Sequence, residues 1–448
     1  MTDARTPLLR IAALIGERDI IANNESFRRL WMARLLSDIP FSAMLYTMLL
    51  LVSHKTGSSS FLSSLFITAY IAPAALLVTV AGAVSDSLPK ALVLTGSNFA
   101  RAALCIVLAL WSGSPWVAYV VAVGFAVTSQ FSGPSRSSAV PLIVEHDRLP
   151  SENSLNDFGS LIAQAIGLLI LPPLFLRTVG VPPLAIVCAV MFVMAALYFL
   201  EIPELRRGTT ADVRDAVSSS VARFGDAWQR FSSDGISYLT VFAVVLASVL
   251  SLVILTLLPR YMNDVLGIRT EYAVFVAAPA AIGVWLSLRL AQFISDRNPP
   301  GVTLGLAFAA LVGAVLSLGF VERLATLLTP WGLPGFGINS FDGQFERILV
   351  TGLIAILLGF SYSYVNIGAA SVIQRRVPRD IQGRIFSAQT MLSSIASIPP
   401  VLFAGIAADI VGVRPVFILL AIGVSVIAVV FAARAQAIGR PAPALQSR

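Results

Sequence analysis

Residues 82 to 90 read Gly82-Ala-Val-Ser-Asp86-Ser-Leu-Pro-Lys90, a short turn with one acid and one base between two long apolar stretches. The stretch before it, Phe61 to Val84, runs 24 residues without a charge. About 20 such residues cross the ~30 Å hydrocarbon core of a bilayer as a helix. Backbone groups in lipid must be satisfied inside their own segment or in a closed barrel, so repeated apolar runs of this length mean a helical bundle. The rest of the chain agrees: 57% of its 448 residues are hydrophobic, 12% are charged and the mean hydropathy is +0.84.

Working outward from the turn, apolar spans fall near 30–52, 61–84, 91–112, 115–135, 154–176, 182–200, 236–258, 271–294, 301–321, 348–372, 384–408 and 413–433. The expected fold is therefore an all-α integral membrane protein of twelve transmembrane helices. The first 25 residues carry seven charges and no uninterrupted apolar region before a small-residue cleavage site, so no cleaved leader is expected. With the N-terminus inside, the inner segments hold 22 of the 31 Lys and Arg residues and the outer loops hold seven. That asymmetry puts both termini in the cytoplasm of a cell with the chain in its plasma membrane. The same dispersal argues against nucleic acid as a partner, despite a net charge of +7.

The charge-rich segment Glu201 to Ser237 holds five Arg and six acids and separates six spans from six. It divides the chain into a first half, 1–201, a cytoplasmic linker, 202–235, a second half, 236–434, and a tail, 435–448. An amphipathic helix on the membrane surface is expected around 211–231. The halves show faint self-similarity. Val144-Glu-His-Asp147 matches Val377-Pro-Arg-Asp380 at an offset of 233, and Val179-Gly-Val-Pro-Pro183 matches Val411-Gly-Val-Arg-Pro415 at 232. A long outer loop at 323–346 accounts for the extra length of the second half. Two six-helix repeats about an axis along the membrane normal are a transporter architecture.

Together these features resemble the major facilitator superfamily, and within it the bacterial branch of macrolide-efflux and enterobactin-export proteins. Three signatures carry the resemblance over nearly the whole chain. The family's turn after its second helix is matched by Gly82, Asp86 and Lys90; Pro134-Ser-Arg136 with Leu149-Pro-Ser-Glu-Asn153-Ser-Leu155 is similar to a run of the branch; and Gln374 to Phe386 keeps its Gln-Arg-Arg-Val-Pro and Gly-Arg-x-Phe pattern intact. Ser87, Pro89 and Leu168 depart from the family, the last standing where antiporters carry a proline. The resemblance implies alternating access, with Asp86 near Gly383 and Arg384 at the start of helix 11 as a gating contact completed by Lys90 and Arg136.

Asp38 is the candidate for proton coupling. It lies about eight residues, or about 12 Å, into the first helix, and an ionisable residue at that depth is a functional-site hypothesis. Its alternative role is a structural pair with Arg34, four residues earlier on the same face. Arg101, central in helix 3, must have a partner or reach the lipid face by snorkelling, and Arg289 lies near a helix end where snorkelling suffices. Helix 10 carries the polar run Ser361-Tyr-Ser-Tyr364-Val-Asn366, and helix 11 adds Gln389 and Thr390. By the family's cavity-lining helices, Tyr364, Asn366 and Gln389 become candidates for substrate contact, with interhelical hydrogen bonding as the other reading.

Cys105 and Cys188 lie mid-helix, His54 and His146 stand far apart, and no nucleophile–base or phosphate-cradling motif is visible, so no enzyme chemistry, metal or cofactor is expected. The partners expected are a small-molecule substrate, the proton and membrane lipid, on a monomer. The reading is a secondary transporter that exports an amphipathic small molecule in exchange for protons. Uptake symport, lysophospholipid or lipid transport on the same fold, and a transport-inactive membrane sensor are its rivals.

Overall fold

The computed structural model describes residues 24–143, 159–160, 162–206, 235–297, 300–328, 345–376 and 379–438. The helices are α1 Glu25–Lys55, α2 Ser60–Ser87, α3 Lys90–Trp111, α4 Pro115–Ile143, α5 Ile162–Thr178 and α6 Val181–Leu200, then α7 Gly235–Tyr261, α8 Val274–Arg297, α9 Pro300–Gly319, α10 Phe345–Arg376, α11 Arg379–Val411 and α12 Val413–Ile438. Eleven are long and apolar enough to cross a membrane, and α5 is a shorter apolar helix at the edge of the described residues. The fold is thus nearly all helical, as the apolar periods predict. The expected linker helix at 211–231 and most of the 435–448 tail fall outside the described residues.

The helix ends follow local chemistry. Asn24 caps α1, its Oδ1 accepting the Phe27 N–H at 2.9 Å, and its amide donates to the Ile143 carbonyl at 3.1 Å, joining the start of α1 to the end of α4. Pro172 and Pro173 lack N–H groups, and the turn before them, Ile166–Ile170, widens to a π-helix. Gly180 and Gly412 join α5 to α6 and α11 to α12 with φ of +89° and +85°, a left-handed backbone that suits glycine. They are the same residue of the two similar pentapeptides, so that sequence match is also a conformational one.

By its internal packing the chain divides into two compact units, one holding Met1–Lys55 and Ala69–Val221, the other Thr56–Thr68 and Ala222–Arg448. In the first, α1 packs on α4, α5 and α6, and α3 on α4 and α6. In the second, α7 packs on α10, α11 and α12, and α9 on α10 and α12, the same pairing shifted by six helices. Large apolar side chains face outward, with Leu76 and Ile410 each more than three-quarters exposed, while Ser37, Thr47, Asn98 and Arg101 are buried. Such an inside-out distribution fits lipid as the surrounding solvent.

The segment 323–346, read from sequence as a long loop, begins as part of a short helix, Val321–Leu328. Glu322 on that helix pairs with Arg414 and lies 3.6 Å from Arg347. The apparent loop signal came from its Gly- and Pro-rich second part, and 329–344 lie outside the described residues.

Candidate functional site

In the first unit a charged network joins four helices. One turn of α1 presents Arg34, Ser37 and Asp38, just before Pro40, whose missing N–H leaves the Leu36 carbonyl without its usual donor. Arg34 Nε lies 3.5 Å from Asp38 Oδ2, and Arg136 of α4 pairs with Asp38 Oδ1. Ser160 donates to Asp38 Oδ2 at 3.3 Å. The pair with Arg34 read from the i−4 spacing is therefore present, but a second cation joins it from another helix. The other Nη of Arg136 donates to Ser37 Oγ at 2.6 Å, which fixes the guanidinium across two residues of α1.

Arg101 continues the network. Its Nη1 donates to the same Ser37 hydroxyl at 3.3 Å, its Nε to Thr128 at 3.0 Å, and its Nη2 to Ser129 and Ser132 at 3.0 and 2.9 Å. The guanidinium stands over the rings of Phe41 and Phe192 at 5.0 and 6.0 Å, with Phe125 packed between those rings. At 2% exposure it lies away from the lipid face, so snorkelling is excluded, and the partners it has are neutral hydroxyls. Thr128 and Ser129 direct their own protons to the Phe125 carbonyl, which leaves oxygen lone pairs for the guanidinium. Arg289, by contrast, is exposed and stacks on Trp285 at 5.7 Å.

At one end of this unit Gly82 and Asp86 lie in the last turns of α2, and Lys90, the first residue of α3, reaches back to the Ser85 carbonyl. Ser85 and Ser135 share a 2.8 Å hydrogen bond that ties α2 to α4. Gly383 and Arg384 lie in the first turns of α11, and the side chains of Asp86 and Arg384 are outside the described residues. Arg136, expected beside the turn, points instead to Asp38.

In the second unit a cavity of about 310 Å³ opens between α7, α10 and α11. Its polar lining comes from Ser248 and Ser251, Tyr362 and Asn366, and Gln389, Thr390, Ser393 and Ser394, with no charged side chain among them. Ser248, Thr390 and Ser394 spend their protons on carbonyls four residues back, and the Asn366 amide donates to the Tyr362 carbonyl at 2.8 Å. Gln389 Oε1 is buried without a partner among the described residues. The lining therefore presents mainly acceptors. Asn366 and Gln389, picked out from sequence, both stand on this cavity; Tyr364 does not. It is 2% exposed and stacks on Phe360 at 6.1 Å, and Tyr362, two residues earlier, takes the position. A helix turns about 100° per residue, so a two-residue error moves a side chain to the opposite side.

Among the described residues no group of three or more His, Cys, Asp and Glu could hold a metal ion. No curated protein is similar enough in sequence to count as a match. Solved structures are similar in fold. PepTSo, a transporter of the POT family, superposes with a TM-score of 0.70 at 13% identity over 93% of this chain and 98% of its own. The peptide transporter POT in complex with sulfate gives 0.65 at 14% identity, over 93% and 95%. The nucleoside transporter NupG gives 0.62 at 14% identity, over 93% and 100%. At such identities the likeness is one of fold. The sequence profile of the Major Facilitator Superfamily, however, matches residues 30–399, most of the chain, and with the twelve apolar helices, their repeated pairing and the transporter neighbours it leads to one conclusion: the protein belongs to the major facilitator superfamily and is a membrane transporter, not an enzyme.

Proposed function

We propose that this transporter exports an uncharged or weakly charged amphipathic molecule by alternating access, coupled to proton entry through Asp38, as a monomer in the plasma membrane with both termini cytoplasmic. The observation that carries the reading is Asp38 itself: a carboxyl inside an apolar span, contacted by Arg34 of its own helix, Arg136 of α4 and Ser160 just before α5. Protonating it discharges the acid that Arg34 and Arg136 share, so the helices carrying those cations lose an attraction that holds them together. A ligand or proton shifts a conformational equilibrium only by its unequal affinity for the two states, and a carboxyl paired in one state and released in the other has that property. The membrane potential offers about 2.3 kcal/mol per charge per 100 mV to such a step.

Cargo chemistry follows from the second unit. An acceptor-rich, uncharged lining favours a molecule that brings hydroxyl or N–H donors, and Tyr362 adds an aromatic face for its apolar part. Export as the direction rests on the similarity to efflux branches at Gln374 to Phe386. Uptake is the second reading, favoured by Leu168 standing where the resemblance would place an antiporter's proline.

The test compares small molecules in cells and medium for the native chain, Asp38→Asn and an empty vector at matched membrane levels. A compound that leaves cells only with the native chain supports proton-coupled export. Equal efflux with Asp38→Asn removes Asp38 from the mechanism, accumulation inside favours uptake, and no difference from the vector favours a sensor or lipid role.

A further inference from the structure

The exposed face of α8 carries two cations, each stacked on an aromatic ring. α8 packs on α10 through a buried face on which Gly283, Ser287 and Ala291 follow one another turn by turn. The opposite face is exposed and holds Trp285, Arg289, Phe293 and Arg297 in the same rhythm, with Leu288 beside them. Arg289 stands over the Trp285 ring at 5.7 Å and Arg297 over the Phe293 ring at 3.7 Å, each ring one turn back along the helix. Arg289 is therefore not stretched toward the water at its helix end, as snorkelling would have it.

A ring face offsets part of a cation's charge, but a guanidinium also carries five N–H donors. Among the described residues, neither Arg289 nor Arg297 donates a hydrogen bond or pairs with a carboxylate. The helix dipole accounts for a cation at Arg297, in the last turn of α8, but fades before Arg289, two turns earlier. Arg289 is thus a cation inside an apolar span with its donors open to the surroundings, and such a residue calls for an anionic partner.

Lipid is the surrounding solvent, and its geometry fits. The span expected from hydropathy, 271–294, ends about 8 Å past Arg289 and about 5 Å before Arg297 along the helix axis. The headgroup layer starts at that end and is about 5–8 Å thick, so the level of the phosphates falls between the two cations. Phosphate oxygens accept guanidinium N–H groups in pairs, with charge assisting. Trp285 and Leu288, toward the middle of the span, offer apolar surface to an acyl chain. Two cations side by side also repel the amine of a zwitterionic headgroup, which favours a lipid with net negative charge.

We propose that Trp285, Arg289, Phe293 and Arg297 form a binding site for one anionic phospholipid, in the leaflet that the basic-residue count makes the inner one, with its phosphate between the two guanidiniums. The proposal rests on the membrane-spanning fold and on neither the cargo nor the proton. It bears on transport because α8 seats on α10 at Gly283, and α10 lines the cavity with Tyr362 and Asn366.

The experiment is native mass spectrometry of the full delipidated chain, titrated in detergent with phosphatidylglycerol, phosphatidylcholine or inorganic phosphate, and read as occupancy of the first site. The native chain should bind phosphatidylglycerol more tightly than phosphatidylcholine, and Arg289→Gln and Arg297→Gln should each weaken phosphatidylglycerol about fivefold. Arg289→Lys, which keeps the charge and loses the fork, should fall between native and Arg289→Gln. Arg323, exposed over the Phe320 ring at 5.8 Å but outside α8, is the control, and Arg323→Gln should change nothing. No loss in the α8 variants, an equal loss in Arg323→Gln, or equal affinity for phosphatidylcholine overturns the proposal. So does inorganic phosphate that displaces the lipid, which would mean a free-anion site, or a dimer that comes apart in the α8 variants, which would mean a second copy on this face. If Arg289→Gln does not fold, Arg297→Gln decides by the same criteria. Flux is not read, so a wrong cargo or coupling ion would fail the export test and leave this result intact.

Discussion

Around Asp38 one carboxylate faces the guanidiniums of Arg34 and Arg136, and Arg101 shares Ser37 with the second of them. Removing the acid leaves cations facing each other in a partly buried site, and the cost falls below the about 3–5 kcal/mol of breaking a fully buried pair. Asp38→Asn should therefore lower the melting temperature in detergent, while Asp38→Asn combined with Arg136→Gln, which restores the balance, should melt closer to the native protein. A double variant no better than the single would mean the acid acts alone. Arg101 gives a contrasting expectation. Arg101→Lys keeps the charge but cannot fork to Thr128, Ser129 and Ser132, and should destabilise by about 2 kcal/mol. Arg101→Met removes a cation held by neutral hydroxyls, two of which already donate elsewhere, and should cost less than the Lys variant. Thermal melts of the two variants decide, and Lys melting above Met sinks the account. Asp38 could be found from sequence because an acid inside an apolar run is conspicuous. Its partner Arg136 could not, because it lies 98 residues away and its neighbours matched a motif with another role.

At the scale of helices, small residues set how closely neighbours approach. A Cβ on Gly283 of α8 would collide with the Ile356 carbonyl oxygen and stand 2.7 Å from the Phe360 nitrogen. One on Gly359 of α10 would collide with the Ala280 carbonyl oxygen and stand 2.8 Å from its carbon. Each glycine thus seats the other helix's backbone, a reciprocal fit that any side chain would push apart. Gly283→Ala or Gly359→Ala should cost about 2–3 kcal/mol, as overpacking against backbone does. Gly423 has nothing within 4 Å of an added Cβ, so Gly423→Ala in α12 should be neutral or stabilising by up to about 1 kcal/mol. Equal losses at all three positions, in thermal melts of the purified protein, would show propensity and not contact at work. The apolar spans were legible as helices because length and hydropathy suffice. Their ends moved by up to several residues, α11 for instance running Arg379–Val411 against an expected 384–408, because capping and proline decide the ends.

For the whole molecule, orientation rests on counting Lys and Arg. Lys55, the last residue of α1, and Glu201, just after α6, are both exposed, and the native thiols Cys105 and Cys188 are buried. An impermeant maleimide should therefore label Lys55→Cys in intact cells and Glu201→Cys only after permeabilisation. The reverse pattern would invert the topology. The repeat also belongs to this scale: α1 with α4, α5 and α6 is repeated by α7 with α10, α11 and α12. Two short peptide matches hinted at it in sequence, and one of them carries the paired glycines Gly180 and Gly412 in turns with φ above zero, which few other residues tolerate.

By itself the sequence determined that the chain is a membrane-spanning helical bundle of two similar halves and a member of a transporter superfamily. Hydropathy length, basic-residue placement and short turns are local properties, and a bilayer turns local properties into architecture. Only the tertiary structure decided which polar groups meet. It set Arg101 among hydroxyls, brought Arg136 to Asp38, chose Tyr362 over Tyr364 for the cavity and put Asp409 on the start of α2. Those encounters depend on helix rotation and on close approach at single glycines, and a shift of one or two residues around a helix, invisible in a hydropathy pattern, exchanges a cavity wall for a packed core.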